Sequence, residues 1–272
     1  MEISFVEPKS IELRNYVEYF YVAKIRPQES IKYFAFPHYN TCLSIVKGVT
    51  INRAPSHIKI EANTSESVTI EFFGKYVKPI LMEYNGKCEE VSIVFKPLGV
   101  HYFHNGLFKM PEASSSKMIH DTGWVELMSL ISFENPDFQK LEDFLLSKIA
   151  GCEQLDKLAL LTEYFLKEGP EKSIASLAFD FGYSPKSLYR HFMKFLGCSP
   201  IEFKRICRFR NVLQAENGLN RRQSLVGLAY DYGYFDQAHF IKEFKKLSHH
   251  NPKKFFNSVK KLGEGRLLWH FL

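Results

Sequence analysis

The chain repeats itself near its carboxyl end. AFDFGY begins at Ala178 and AYDYGY begins at Ala229, so the two segments match at a shift of 51 residues. The stretches SPKSLYRHFMKF and FDQAHFIKEFKK follow them and match at a shift of 52, after one inserted residue. Each copy has the pattern of a short apolar helix, a turn with a glycine, and a second helix with an apolar spine. A duplicated pattern of this kind predicts two similar folded units, and it constrains the fold more than any other feature of the sequence.

Each copy has the pattern of a helix-turn-helix. Gly182 and Gly233 would let the chain leave the first helix in a left-handed conformation, which bulkier residues resist. Ala178 and Ala229 are small enough for the two helices to approach closely. The outward face of the second helix would carry hydrogen-bond donors and small apolar groups, which suit base edges in the major groove. In order along the chain, the outward residues are Lys186, Tyr189, Arg190, Met193 and Lys194, then Gln237, Ala238, Ile241, Lys242 and Lys245.

The alternative interpretation of one copy alone is a helical hairpin with a solvated basic face. The presence of two copies with matched turns argues against this alternative. Charge points the same way, because residues 173–262 hold 16 basic and 6 acidic residues while residues 1–172 hold 19 and 23. A basic segment joined to a mildly acidic body predicts that the basic segment binds a polyanion.

Capping residues mark the helix starts of this region. A serine or asparagine precedes a proline three times, at Ser184-Pro185, Ser199-Pro200 and Asn251-Pro252. The side-chain oxygen can accept from an unpaired backbone N–H of the first turn, and the proline has no N–H to leave unpaired. Asp236, Ser173 and Ser224 are further candidate caps. A long helix from Pro200 to Glu216, apolar over a broad band, would lie between the two units and fix their spacing.

The residues from Leu155 to Lys261 resemble the DNA-binding domain of AraC-type (AraC/XylS family) transcriptional regulators. The stretch ASLAFDFGYSPKSLYRHFMKFLGCSPIEFKR is similar to the first helix-turn-helix of that family, and LAYDYGYFDQAHFIKEFKK to the second. The resemblance implies seven helices, with two recognition helices in successive major-groove segments on one face of the DNA. Phe235 departs from the small hydroxyl residue usual there, so that cap falls to Asp236. His249 stands where the family favours glycine.

The resemblance also implies which side chains would contact DNA. The implied base-facing residues are Lys186, Tyr189 and Arg190 in the first unit, and Gln237, Ala238, Ile241 and Lys242 in the second. Lys194 and Lys246 lie further along their helices and are expected to contact phosphate. The second set is poor in side chains that bind a base edge through two hydrogen bonds, so we expect weaker base specificity there.

The amino-terminal stretch predicts a β-rich domain. TCLSIVKGVTI, SVTIEFFGKYV and EEVSIVFKPLGV are short runs rich in β-branched and aromatic residues, and together they indicate a sandwich or barrel. Ile11–Tyr21 suits either a strand or a helix. Helical periodicity then predicts a connector over about 120–150. The expected α+β organisation is a cupin-like sensor and dimerisation domain over 1–151, a DNA-binding domain over 152–262, and a tail over 263–272. Within it we expect the first helix-turn-helix at about 173–196, the linker helix at 200–217 and the second unit at 224–247.

Candidate site residues in this domain are few. Phe36, His38 and Tyr39 could line an effector pocket, although ordinary packing in a β-rich core is the simpler explanation of each. His101 and His104 lack the spacing of a cupin metal site, so no metal is expected. The sequence contains no phosphate-binding loop, dinucleotide fingerprint or nucleophile elbow. We therefore expect no cofactor and no catalytic residue.

The expected function is sequence-specific transcriptional regulation, modulated through the amino-terminal domain. Duplex DNA is the main expected partner, with RNA polymerase, a small-molecule effector and a second copy of the chain as candidates. The beginning of the chain lacks the apolar core of a signal peptide, and its five cysteines include no CxxC pair. The longest run without Asp, Glu, Lys or Arg has 14 residues, too short for a bilayer. We expect a bacterial cytoplasmic protein at the nucleoid, without membrane association.

Two alternatives stay open. The first is a cupin-like enzyme tethered to a DNA-binding domain, which a metal analysis of the purified protein would distinguish. The second is a DNA-repair methyltransferase fused to the same DNA-binding domain. It would need a reactive cysteine in an acceptor motif, and neither Cys42 nor Cys88 lies in one.

Overall fold

Two six-stranded sheets form the amino-terminal domain, and helices form most of the remainder. The computed structural model describes residues 1–65, 67–103, 110, 116–120, 124, 127, 131–151, 153–167, 172–218, 225–258, 260–262 and 267–271. The twelve strands are β1 Glu2–Val6, β2 Val17–Ile25, β3 Ser30–Ala35, β4 Thr41–Lys47, β5 Val49–Ala54, β6 His57–Ala62, β7 Val68–Phe73, β8 Ile80–Asn85, β9 Cys88–Phe95, β10 Ser116–Met118, β11 Lys260–Leu262 and β12 Leu267–Phe271.

The first sheet has the strand order β1-β2-β9-β4-β7-β10 and is buried on both faces at its centre. Successive side chains of a strand point to opposite faces. On β9, Val91, Ile93 and Phe95 belong to a core that also contains residues of the helical connector. The alternate residues Glu90, Ser92 and Val94 therefore face the other way, towards the second sheet. Burial on both sides explains why these strands read as continuous apolar runs in the sequence.

The second sheet has the order β11-β12-β3-β8-β6-β5. Its strands pair antiparallel except for β6 and β8, which run parallel. The segment expected to be a carboxyl-terminal tail contains β12, which pairs with β3 so that Trp269 opposes Ala35. The last strand of the chain therefore lies in the amino-terminal domain. A core of mostly apolar residues fills the space between the sheets, including Tyr33, Ile58, Ile80 and Tyr84.

Eight helices of the described residues lie between β10 and β11 in the chain. They are α1 Phe138–Lys148, α2 Glu153–Lys167, α3 Ile174–Asp180, α4 Pro185–Leu196, α5 Pro200–Gly218, α6 Leu225–Asp231, α7 Gln237–Ser248 and α8 Pro252–Ser258. The seven from α2 to α8 match the number that the family resemblance implies.

The structure shows part of the predicted helical connector and the conformation of Ile11–Tyr21, which suited either a strand or a helix. Helix α1 confirms the second half of the connector, and it packs on the first sheet through Leu141 and Leu145. Most of the stretch WVELMSLIS lies outside the described residues, as does the candidate cap Ser224. Ile11–Tyr21 contains a 3₁₀ turn at Leu13–Asn15 and then the beginning of β2.

Helix α5 belongs to two cores at once, as its broad apolar band predicts. Phe203 and Cys207 pack with α2, α3 and α4, whereas Phe209, Val212 and Leu213 pack with α6, α7 and α8. Both helix-turn-helix units are therefore built on one continuous helix, which limits how far they can move independently.

Side chains also cross between the amino-terminal domain and the helices. Phe36 belongs to the core of the second unit, where its ring lies 4.8 Å from that of Phe255. Lys75 lies with its Nζ 4.6 Å from the centre of the Phe203 ring. The ring of His101 contacts the carbonyl oxygen of Phe195 at 2.7 Å, at the end of α4. Both helical units are thus packed against the amino-terminal domain.

Among the described residues, no helix combines the length and the apolar composition needed to cross a membrane.

Candidate nucleic-acid interface and effector cavity

The turns of the two units have the same geometry. Gly182 and Gly233 have φ angles of +68° and +66°, so both occupy the left-handed region predicted for them. The N–H of Tyr183 donates to the carbonyl of Ala178 at 2.7 Å, and Tyr234 donates to Ala229 at 2.9 Å. These bonds close the ends of α3 and α6 and turn the chain towards the recognition helices α4 and α7.

Five of the six predicted caps lie in the described residues, and all five are confirmed. Ser184 Oγ accepts from the N–H of Ser187 at 3.1 Å, at the start of α4. Asp236 Oδ1 accepts from the N–H of His239 at 2.7 Å, at the start of α7. Ser173, Ser199 and Asn251 cap α3, α5 and α8 in the same manner, and Glu202 bonds back to Ser199 as a capping box. Local chemistry therefore fixes where each helix of this region begins.

The first recognition helix exposes the side chains that the sequence analysis assigned to DNA. Lys186, Tyr189, Arg190 and Lys194 are all exposed, whereas Leu188, Phe192 and Phe195 face the core. Lys194 Nζ lies 4.5 Å from the centre of the Phe195 ring, near the end of the helix. The exposed face of α4 carries three cations and no acidic residue. Its geometry suits a major groove, and the base-reading roles stay predictions.

The second recognition helix differs in charge. Gln237, Ala238, Lys242 and Lys246 are exposed, and Ile241 is half-buried. The buried carboxylate of Glu243 accepts a hydrogen bond from Lys246 Nζ at 2.7 Å and pairs with Arg205 Nε at 3.0 Å. Burial acts to raise the pKa of Glu243, but the hydrogen bond from Lys246 and the charge of Arg205 outweigh it and lower the pKa. Glu243 therefore holds two cations that could otherwise contact phosphate.

A cleft between the two units was not anticipated from the sequence. It has a volume of about 290 Å³ and is lined by residues of α3, of α5 and of the second helix-turn-helix unit. Three of its residues are the α5 cations Lys204, Arg205 and Arg208. The sequence feature that could have predicted this cleft is the group of basic residues on α5. The sequence analysis considered only the apolar band of that helix.

A second cavity lies inside the amino-terminal domain, between the two sheets, and has a volume of about 120 Å³. Phe36 and His38 line it. Tyr39 lies beside α5 instead, where its hydroxyl accepts from Gln214 Nε2 at 3.3 Å. The backbone N–H of Asn40 donates to His38 Nδ1 at 2.9 Å. Burial, with the charges of Arg210 and Lys75, holds the pKa of His38 well below its ordinary value, so this ring is neutral at pH 7.

The most polar group of this cavity is the carboxylate of Glu90, which sequence reasoning missed. Its Oε1 accepts from Tyr21 Oη at 2.7 Å, Ser44 Oγ at 2.7 Å and Ser92 Oγ at 2.6 Å. Its Oε2 accepts from Tyr84 Oη at 3.0 Å. The alternation of β2 and β9 brings these groups together, and only the pairing of β2, β4 and β9 shows that they share one face.

Five tyrosines line the same cavity with Glu90. They are Tyr19, Tyr21, Tyr33, Tyr76 and Tyr84. The rings of Tyr33 and Tyr84 lie 6.1 Å apart and nearly parallel, with 13° between their planes. Arg210 of α5 also lines the cavity, so a residue of the helical region closes a space inside the β-rich domain.

His101 is fully buried and His104 lies outside the described residues. Within the part of the chain that is described, no three His, Cys, Asp or Glu side chains cluster as metal ligands would.

Comparison with known proteins supports the assignment of the carboxyl-terminal region. A family described as "Helix-turn-helix domain" matches residues 177–258. The "Probable transcription factor PqrA" of Proteus vulgaris is 36% identical over 83 residues, which span 30% of this chain and 66% of PqrA. The matched segment therefore spans just under two thirds of that relative.

Solved structures are similar at a lower level. ToxT from Vibrio cholerae covers 88% of this chain and 97% of its own, with 11% identity and a TM-score of 0.49. An AraC-type transcriptional regulator from Chromobacterium violaceum covers 36% of this chain and 84% of its own, with 20% identity and a TM-score of 0.31.

The fold and the family match together identify residues 177–258 as a helix-turn-helix region. Within this region the structure has two helix-turn-helix units, each with an exposed cationic second helix.

Proposed function

We propose that the protein is a sequence-specific transcriptional regulator that binds duplex DNA through α4 and α7. The observation that carries this proposal is the duplicated helix-turn-helix with its cations exposed on the outward face of both recognition helices. Lys186, Tyr189 and Arg190 would read bases from the first unit, and Gln237, Ala238, Ile241 and Lys242 from the second. Lys194 would contact phosphate, whereas Glu243 holds Lys246 and Arg205 in ion pairs.

We further propose that a small molecule in the cavity of the amino-terminal domain modulates DNA binding. The supporting observation is that Arg210 lines this cavity and lies on α5, the helix shared by both units. In this proposal residues 1–151 sense the effector and residues 152–262 bind DNA. Contacts with RNA polymerase and with a second copy of the chain, and a location at the bacterial nucleoid in the cytoplasm, belong to the same proposal.

A regulatory role without catalysis is also part of this proposal. The supporting observation is that the relative PqrA is described as a probable transcription factor. A metal analysis of the purified protein tests the cupin-like enzyme directly, since a stoichiometric metal would favour that alternative.

Salt-dependent binding of the whole chain to duplex DNA tests the main proposal. Fluorescence anisotropy with a labelled duplex should show affinity that falls steeply with salt, because bound cations release counterions from the DNA. Lys186→Ala together with Arg190→Ala should weaken this binding. Lys140→Ala is the matched control, because it removes an exposed lysine of α1 in the amino-terminal domain. A folded protein that binds no duplex at low ionic strength would refute the proposal.

A further inference from the structure

Two buried side chains of opposite charge line the cavity between the sheets, and each lacks a charged partner among the described residues. These are Glu90 of β9 and Arg210 of α5. We propose that this cavity binds a small zwitterion, with its ammonium group at Glu90 and its carboxylate at Arg210. Binding itself needs only the cavity, whereas its regulatory consequence rests on the proposed function.

The Glu90 end is suited to a cation. The carboxylate is 2% exposed, and all four of its hydrogen-bond donors are hydroxyl groups that carry no charge. No ion pair to Glu90 is formed by any Lys, Arg or His of the described residues. Five tyrosines line the same cavity, and the faces of aromatic rings attract cations electrostatically. A buried anion inside an aromatic enclosure is the arrangement that stabilises an ammonium group.

Unpartnered polar atoms in the cavity lining also point to a donor-rich ligand. Asn40 Oδ1 and Thr41 Oγ1 have no hydrogen-bond partner, although these residues are only 7% and 6% exposed. Buried acceptors of this kind are rare unless a ligand or water occupies the site. A primary ammonium group has three N–H donors, which suits a cavity whose lining holds several acceptors. A quaternary ammonium group has none.

The Arg210 end is suited to a carboxylate. Its Nε donates to the carbonyl of Pro37 at 2.7 Å and its Nη2 to the carbonyl of Phe36 at 3.3 Å. Burial lowers the pKa of Arg210 to about 10, so the guanidinium still carries its charge at pH 7. A guanidinium has five N–H donors in one plane, which leaves donors available and matches a carboxylate well.

The volume limits the size of the ligand. A cavity of about 120 Å³ is slightly smaller than the cavity of roughly 150 Å³ that accepts benzene in another protein. Linear amino acids from glycine to 5-aminopentanoate bracket this size and vary the separation of the two charges. We therefore use them as probes.

Ligand binding at Arg210 would reach the DNA-binding helices directly. The same guanidinium bonds to the segment Phe36–Pro37 and belongs to α5, and Phe36 packs in the core of the second unit. A carboxylate on Arg210 would therefore change the forces on the one helix that both units share.

The test is isothermal titration calorimetry of the full chain with glycine, 3-aminopropanoate, 4-aminobutanoate and 5-aminopentanoate. One length should bind saturably, and butylamine and butanoate should bind at least about tenfold more weakly, since each lacks one charged hydrogen-bonding end. Butanoate binding as tightly as the best amino acid would overturn the proposal. Failure of every probe to bind at 10 mM, roughly the weakest useful affinity, would overturn it as well.

Two variants locate the site. Glu90→Gln keeps the side-chain size and should weaken the best probe at least about tenfold, because the negative charge is lost and one accepting oxygen becomes a donating amide nitrogen. Its control is Glu89→Gln, which changes the neighbouring carboxylate that pairs with Lys87. Asn40→Leu removes an unpartnered acceptor, so it should fold and should also weaken binding. Unchanged probe affinity in folded Glu90→Gln or Asn40→Leu protein would overturn the assignment.

DNA anisotropy without any probe separates the two proposals. Intact DNA binding with no probe binding overturns the zwitterion site alone. Saturable probe binding without DNA binding supports the site and overturns the proposed function.

Discussion

The two helix-turn-helix units share their framework and differ on the surface that would meet DNA. Gly182 and Gly233 make the same left-handed turn, and Phe192 and Phe244 are both fully buried. At a shift of 52, Arg190 of the first unit corresponds to Lys242 of the second, His191 to Glu243, and Gly197 to His249.

This comparison shows which positions the fold requires and which it leaves variable. Replacement of the turn glycines or core phenylalanines would cost conformational or packing energy in either unit, whereas the outward residues contribute little to folding. In the first unit, the recognition helix α4 carries the guanidinium of Arg190 and contains no acidic residue. The second has a lysine and a carboxylate that holds two cations. We infer a division of roles, in which the first unit discriminates sequence and the second contributes affinity.

The largest expected effect concerns the independence of the two cores. Phe192→Ala and Phe244→Ala should each lower the free energy of unfolding by about 3–5 kcal/mol, because each leaves a cavity among packed phenylalanines. Native-state hydrogen exchange should show the first loss of protection within the mutated unit. Met193→Ala is the control, since that side chain is 41% exposed. Equal loss of protection in both units would show that α5 makes them one cooperative body.

The next effect concerns base reading. Arg190→Ala should cost about 1–3 kcal/mol at one base position, because a guanidinium can bond to two acceptors of guanine. Lys242→Ala should weaken binding to all sequences similarly, since an ammonium group can donate hydrogen bonds to many different acceptors. Selection of sites from random DNA should then give one strict half and one degenerate, A·T-leaning half, about 10 base pairs apart. Equal information in both halves would contradict the division of roles.

An exchange of charge between the units sharpens the comparison. Glu243→Gln should release Arg205 and Lys246 for phosphate and steepen the salt dependence of DNA binding by about one to two units of slope. His191→Glu places an acid at the equivalent position of α4 and should make the dependence shallower. Both slopes come from anisotropy titrations over a range of salt concentrations. Unchanged slopes in both variants would mean that neither position 191 nor position 243 controls phosphate contacts.

The smallest effect concerns the ends of the recognition helices. Gly197 and His249 have φ angles of +65° and +61°, so both are left-handed. Gly197→Ala should lower stability by about 1 kcal/mol, because a Cβ is unfavourable in this region. His249→Gly relieves the strain but loses the ring contact with Phe34 and adds the entropy of glycine, so it should change stability by less than about 0.5 kcal/mol. His249→Ala keeps the strain and loses the ring contact with Phe34, so thermal denaturation of the three variants separates the two contributions.

Local sequence chemistry determined the architecture of the carboxyl-terminal region. Helix starts at Ser184, Ser199, Asp236 and Asn251 follow from hydrogen bonds between residues three apart, which a linear sequence displays directly. The glycine turns follow from the conformational freedom of a single residue. The repeat then identified two units of one kind, and the outward side chains followed from helical periodicity.

Only the tertiary structure decided the cavity and the links between the domains. Glu90 accepts a hydrogen bond from Tyr21, which is 69 residues away in the sequence. Arg210 donates to the carbonyl of Pro37, which is 173 residues away. Strand order and register bring such residues together. The alternation of side chains within one strand specifies neither the strand order nor the register. The amino-terminal sequence thus predicted a β-rich domain and two residues of the cavity lining, Phe36 and His38. The buried pair of opposite charges became visible only in the folded chain, because burial and the lack of a partner are properties of the whole fold.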